Sequence, residues 1–137
     1  MRDNRPILLV EDDIVDHLLV RRALTESKVS NRLEIATSGD MALGYLNGDV
    51  GERPGIIILD LNMPRLNGIE FLRTIKGDER HRCIPVIILT TSREEQDKQE
   101  CFRLGAAGYM IKPLEYPLFV DLIRTLTAYW ALSELPV

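Results

Sequence analysis

Five short runs of aliphatic and β-branched residues recur along the chain: Ile7–Val10, Leu33–Ala36, Ile56–Asp60, Val86–Thr90 and Gly108–Ile111. Each is too short for a helix, and each is separated from the next by a longer stretch with helical periodicity or turn residues. Strands that alternate with helices in this way predict a parallel sheet of α/β type, because a parallel connection needs a crossover long enough to hold a helix. With 137 residues, 45% of them hydrophobic, the chain has material for one domain with a core and too little for a typical second.

The helices can be placed from caps and periodicity. The first is predicted to start near Asp13, with Ile14, Val15, Leu18 and Leu19 on its apolar face and Asp16, Arg21 and Arg22 on its polar one. A second is expected after Ser38-Gly39 through Leu46, and a third beyond Asn67-Gly68 carrying Ile69, Phe71, Leu72 and Ile75. The charged segment Arg93 to Leu104 has a thin apolar stripe and reads as the weakest, most mobile helix. Pro117 fits the first turn of the last helix, whose apolar residues are Leu118, Val120, Leu122, Ile123 and Leu126. Asn47 to Pro54 reads as a solvated loop.

Composition narrows the function. The formal net charge is -4, with the 17 basic residues scattered, so no basic stripe is available to grip nucleic acid. No apolar run approaches a bilayer span, the amino terminus has no signal-peptide core, and Cys83 and Cys101 have no metal or redox spacing. These features predict a reduced, cytoplasmic protein with no membrane or nucleic-acid partner.

If the strands are parallel, polar residues converge on one edge of the sheet: Glu11 and Asp12 after the first strand, Asp60 after the third, Thr90 at the end of the fourth and Lys112 after the fifth. In an open α/β sheet this carboxyl edge is where ligands bind. Three carboxylates in one cleft repel one another unless a cation neutralises them, and an all-oxygen donor set suits Mg2+ better than Zn2+. With Mg2+ on one side and Lys112 on the other, Asp60 is placed to attack phosphorus and carry a phosphoryl group as an acyl phosphate, Thr90 donating its hydroxyl to a phosphoryl oxygen. Taken singly, Glu11-Asp12-Asp13 reads equally as a helix-start cap. His17 is a packing or solvent-contact residue on the first helix.

The blocks Glu11-Asp12, Asp60-Leu61-Asn62-Met63-Pro64 with Gly68, Pro85 to Thr91, and Gly105 to Pro113 together resemble the receiver domains of two-component response regulators. The resemblance covers residues 5–127, leaving 128–137 as an extension of the last helix and a tail. It implies a flavodoxin-like, doubly wound sheet in the order 2-1-3-4-5. It further implies that Asp60 takes phosphate from a sensor histidine kinase, with Mg2+ held by Glu11, Asp12, Asp60 and the Asn62 backbone carbonyl. Thr90 and Tyr109 resemble the family's switch pair, and the bond before Pro113 is expected to be cis. On this reading the protein is not a turnover enzyme and catalyses only its own phosphorylation and dephosphorylation.

Two features carry the resemblance further. The chain ends soon after the last helix, so its output is expected through protein contact, and this ending resembles single-domain regulators paired with bacterial phytochrome-type histidine kinases. Tyr129 and Trp130, with the face formed by the fourth helix, fifth strand and fifth helix, are candidates for a homodimer interface or for covering the domain's own core edge. Departures from the family pattern are Glu11 in place of Asp, Leu114 in place of an aromatic, and Thr91 where a small residue is common. Two other classes remain open at this stage. A small-molecule phosphohydrolase of the aspartate-nucleophile type usually has a second acid where Asn62 stands; a binding module needs no phosphorylation at all.

Overall fold

The computed structural model describes residues 4–48, 52–63 and 66–132. Its elements follow the chain as β1 (Ile7–Val10), α1 (Ile14–Glu26), β2 (Leu33–Ala36), α2 (Gly39–Asn47), β3 (Ile56–Leu59), α3 (Gly68–Lys76), β4 (Val86–Thr90), α4 (Glu95–Arg103), β5 (Gly108–Ile111) and α5 (Tyr116–Leu132). The strands form one parallel sheet in the order β2-β1-β3-β4-β5. Every position of β1, β3 and β4 is buried, as expected for inner strands covered on both faces, whereas β5, at the edge, is half-buried throughout.

Side-chain alternation divides the core in two. Leu8, Val10, Ile57, Leu59, Val86 and Ile88 face Ala42, Phe71, Leu72, Ile75 and Cys101, from α2, α3 and α4. Ile7, Leu9, Ile56, Ile58, Ile87 and Leu89 face Val20, Ala23, Leu24, Phe119, Val120, Ile123, Leu126 and Trp130, from α1 and α5. Helices therefore cover both faces, and every crossover leads from one strand's carboxyl edge to the next strand's amino edge.

Three helix starts are closed by the side chains that mark them in the sequence. Asp13 accepts from the Val15 N–H at 2.8 Å, Ser38 from Met41 at 3.1 Å and Asn67 from Glu70 at 3.0 Å. The weakly patterned segment does form a helix, α4, although Glu94 at its cap position makes no side-chain capping bond. Asn47 belongs to α2 rather than to a loop; 49–51 lie outside the described residues, as do Pro64, Arg65 and 133–137.

The first helix turns a different face inward from the one its apolar spacing predicts. Ile14, Val15 and Leu18 are 61–69% exposed, while His17, Val20, Ala23 and Leu24 are buried. His17 goes inside because its Nε2–H donates to the Glu11 carbonyl at 2.5 Å; a carbonyl only accepts, so this bond also fixes the tautomer. On α5, Leu118 faces solvent while Val120, Ile123 and Leu126 pack inward. No peptide bond among the described residues is cis, so Lys112–Pro113 is trans: Lys112 reaches the acidic cluster without the rarer isomer. Trp130 is only 4% exposed and lies over Gly55, where an added Cβ would come within 2.5 Å of its ring. The indole thus covers the domain's own core edge; Tyr129 is the exposed aromatic of the pair.

Candidate functional site

Strand register assembles the site. Val10 pairs with Leu59 across β1 and β3, and the Asp60 N–H continues the ladder by donating to the Val10 carbonyl at 3.0 Å, which sets Glu11 and Asp60 side by side. Thr90 pairs with Ile111, and the Lys112 N–H donates to the Thr90 carbonyl at 2.8 Å. Four strand ends thereby deliver Glu11, Asp60, Thr90 and Lys112 to one edge. Gly68 lets α3 begin directly beneath: a Cβ there would collide with the Asp60 carbonyl oxygen and lie 2.6 Å from Leu61 Cα.

Glu11, Asp12 and Asp60 each direct a carboxylate oxygen into one cluster, all within 4.8 Å of one another. Glu11 and Asp60 are buried and Asp12 is exposed, so the cluster has a closed side and an open one. Lys112 is its counter-charge. Its ammonium lies 2.5 Å from Glu11 Oε1, 2.7 Å from Asp16 Oδ2 and 3.5 Å from Asp60 Oδ2. Burial raises the Glu11 carboxyl to about 8 even against its bond to Lys112, with Asp60 adding to the rise. Burial works against the Lys112 charge, but the bonds to Asp16 and Glu11 outweigh it and keep the ammonium protonated.

Asp60 Oδ1 is buried and has no hydrogen-bond partner among the described residues. A buried carboxylate oxygen without a donor is costly, and the Asp60 carboxylate clusters with two others, an arrangement that a divalent cation satisfies. The donor set therefore fits Mg2+.

Thr90 is fully buried, and its Oγ1 accepts from the Ser92 N–H at 3.3 Å and, weakly, from the Asn62 amide at 3.5 Å. Both bonds use the hydroxyl as acceptor, which leaves its proton available to an incoming oxygen. From Ser92 the contacts run outward: its Oγ donates to Asp97 of α4 at 2.7 Å, and its carbonyl accepts from the Tyr109 hydroxyl at 3.0 Å. Burial raises the Tyr109 phenol above its ordinary value, so it stays protonated and remains the donor in that bond.

Glu11, Asp12, Asp60, Thr90 and Lys112 meet at this edge, the Asn62 side chain reaches Thr90, and Tyr109 is linked to the edge through Ser92. Three contributors were not identified in advance. Asp16 binds Lys112, His17 braces the Glu11 backbone and Ser92 joins Thr90 to α4. Asp16 carries a sequence signal only in retrospect, as an acid one helical turn beyond the acidic pair.

A family model described as the response regulator receiver domain matches residues 7–124. The chain belongs to that family. Receiver domains are generally non-catalytic phosphoryl acceptors that work with a sensor histidine kinase and bind Mg2+ at an acidic pocket. This receiver is 35% identical over 127 residues to the probable methanogenesis regulatory protein FilR2 of Methanothrix harundinacea, covering 90% of this chain and 82% of the relative. Its fold superposes on the phosphorylated cyanobacterial phytochrome response regulator RcpA with a TM-score of 0.92 at 31% identity, covering 98% of this chain and 100% of that one. The Mn2+-bound form of response regulator Rcp1 gives a TM-score of 0.89 at 33% identity, covering 97% and 99%. The receiver fold expected from the sequence, with its strand order, is thus the fold observed. No helix among the described residues is long and apolar enough to cross a membrane.

Proposed function

We propose that Asp60 is the phosphoacceptor of this receiver and that residues 5–127 form the complete switching unit. The Asp60 carboxylate, clustered with Glu11 and Asp12, with Lys112 beside its Oδ2 and its buried Oδ1 unpartnered among the described residues, carries the reading. A carboxylate oxygen of Asp60 attacks the phosphorus of a phosphohistidine; the new P–O bond forms as the P–N bond breaks, and the imidazole leaves with the electron pair. Glu11, Asp12, Asp60 and the Asn62 backbone carbonyl would hold Mg2+, which would offset charge on the phosphoryl oxygens. Lys112 supplies the second cation and Thr90 a hydroxyl donor. The protein acts only on itself, adding the phosphoryl group to Asp60 and later releasing it to water; nothing stands two residues after Asp60 to act as the acid of a hydrolase, since Asn62 is there.

The message leaves through Thr90 and Tyr109. When the Thr90 hydroxyl turns to a phosphoryl oxygen, the Ser92 N–H loses its acceptor, and the segment that holds both Asp97 and the Tyr109 hydroxyl is released with it. The face changed is that of α4, β5 and α5, where exposed Phe102 and Tyr129 and an apolar groove of about 430 Å3 between β5 and α5 are available to a target or a second copy. Exposed Ile14, Val15 and Leu18 on α1, with Leu114 just after Lys112-Pro113, flank the site on its open side and suit docking of a kinase helix. The likeness to the phytochrome response regulator RcpA favours a phytochrome-type kinase as the donor.

Incubation with a small acyl-phosphate donor and Mg2+ tests the reading. One hydroxylamine-labile phosphate per chain is expected, absent in Asp60→Asn and in EDTA. Continuous turnover of the donor far beyond that stoichiometry, or label that survives Asp60→Asn, refutes it. Transfer from a phytochrome-type kinase, compared with kinases of other inputs, decides the donor class.

A further inference from the structure

Lys112 has three N–H donors, and the structure distributes them over Glu11 Oε1, Asp16 Oδ2 and, at longer range, Asp60 Oδ2. Two of these acceptors have another claim on them. Glu11 and Asp60 belong to the carboxylate cluster that fits a divalent cation, and an oxygen engaged with such a cation is a poorer acceptor for an ammonium group; the cation itself repels Lys112. Asp16 is not part of the cluster. Its bond to Lys112 is therefore the one that survives occupation of the site.

The contact is built rather than incidental. The Lys112 side chain is 11% exposed and that of Asp16 20%, and the bond ties the first turn of α1 to the end of β5, 96 positions along the chain. Asp16 is the third residue after its cap, Asp13, where a carboxylate ordinarily serves the helix start. Here its Oδ2 is given to the lysine instead.

Resting on the receiver reading above, we propose that Asp16 is the positioning residue of Lys112, keeping the ammonium beside Asp60 while Glu11 serves the metal ion. A lysine has four rotatable bonds and a strongly hydrated head, so without a fixed partner it samples solvent and meets the phosphoryl oxygens only part of the time. Asp16 is not a catalytic residue, since it touches neither the phosphorus nor Asp60 and acts only by placing Lys112.

A double-mutant cycle with Asp16→Asn and Lys112→Met, read as the initial rate of labelling by a small acyl-phosphate donor with Mg2+, tests the proposal. Asp16→Asn is expected to slow labelling about tenfold, the scale of losing one charge-assisted hydrogen bond, and to change nothing further in the Lys112→Met background. Asp16→Glu is expected to restore most of the rate. In the metal-free protein, the Lys112 side-chain 15N NMR signal is expected to be visible in the wild type and lost to solvent exchange in Asp16→Asn. An Asp16→Asn defect of equal size in both backgrounds, or none in the first, overturns the proposal and leaves the receiver reading standing; so does an unchanged NMR signal. A wild type that takes no label overturns both. Should Lys112→Met fail to fold, Lys112→Gln replaces it.

Discussion

Truncation of Trp130 is a direct test of how the last helix is held. The side chain is nearly fully buried against Gly55 and the apolar face of α1 and α5, and its Nε1–H has no partner among the described residues. Removing roughly 200 Å2 of buried surface at about 25 cal/mol per Å2 costs about 5 kcal/mol. Unfolded chains already hide part of such area, which lowers the figure to about 4 kcal/mol. Relief of the unpaired indole N–H returns about 1–2 kcal/mol. Trp130→Ala should therefore destabilise the domain by about 2–3 kcal/mol, and Trp130→Phe, which keeps most of the packing and drops the orphaned donor, by under about 1 kcal/mol. Urea unfolding followed by far-UV circular dichroism measures both, since the chain has a single Trp and loses its fluorescence in each variant. Sedimentation of the same samples reads the oligomer. Unchanged stability together with dissociation of a dimer would refute the placement of the ring in the core. A Phe variant as damaged as the Ala variant would show instead that the indole N–H is bonded.

Two further perturbations address other parts of the frame. His81 is buried and neutral in the fold: Arg53 can only donate, so Nδ1 accepts from it at 3.3 Å and Nε2–H donates to Asn47 Oδ1 at 2.9 Å. Burial holds its pKa below the ordinary 6.5, so below that pH the unfolded chain binds the extra proton. Stability should be fully present above about pH 7 and fall as pH drops through the folded-state value, with a slope that His81→Gln removes; urea midpoints at pH 7.5 and 5.5 measure it, and an equal slope in the variant refutes it. Ser92→Ala removes the hydroxyl bound to Asp97 and should loosen the start of α4 by about 1 kcal/mol, seen as faster hydrogen exchange of its first amides, while Asp60 still takes label; unchanged exchange would break the proposed link from Thr90 to α4.

What the sequence discloses about this domain is largely what neighbours along the chain decide. Asp13, Ser38 and Asn67 mark helix starts because a cap bonds to an amide two or three residues on. The strand runs are legible because inner parallel strands are apolar throughout. The identity of the site is legible for a related reason: each of its residues immediately follows or ends such a run. The face of α1 was not, because Ile14, Val15 and Leu18 look like core, and only the contact between His17 and the Glu11 carbonyl shows which side turns inward. Asp16 and the bonds joining Asn47, Arg53 and His81 were invisible for another reason. They link residues 28 to 96 positions apart, and no local pattern encodes them. The placement of Trp130 depends equally on a distant partner, the bare backbone at Gly55.

The strand order has a bearing on when the protein becomes competent. Glu11 and Lys112 are 101 positions apart and meet only after β5 has been added to the outer edge of the sheet, so the pocket is closed by the last strand to be made. At a synthesis rate of roughly 5–20 residues per second, a nascent chain carries Asp60 for several seconds before Lys112 exists. During that interval its carboxylate lacks the ammonium beside which it sits in the finished fold. On the proposed phosphoacceptor reading, receptivity thus arrives with the finished sheet, and a chain misfolded at its far end lacks the ammonium that holds the phosphoryl charge.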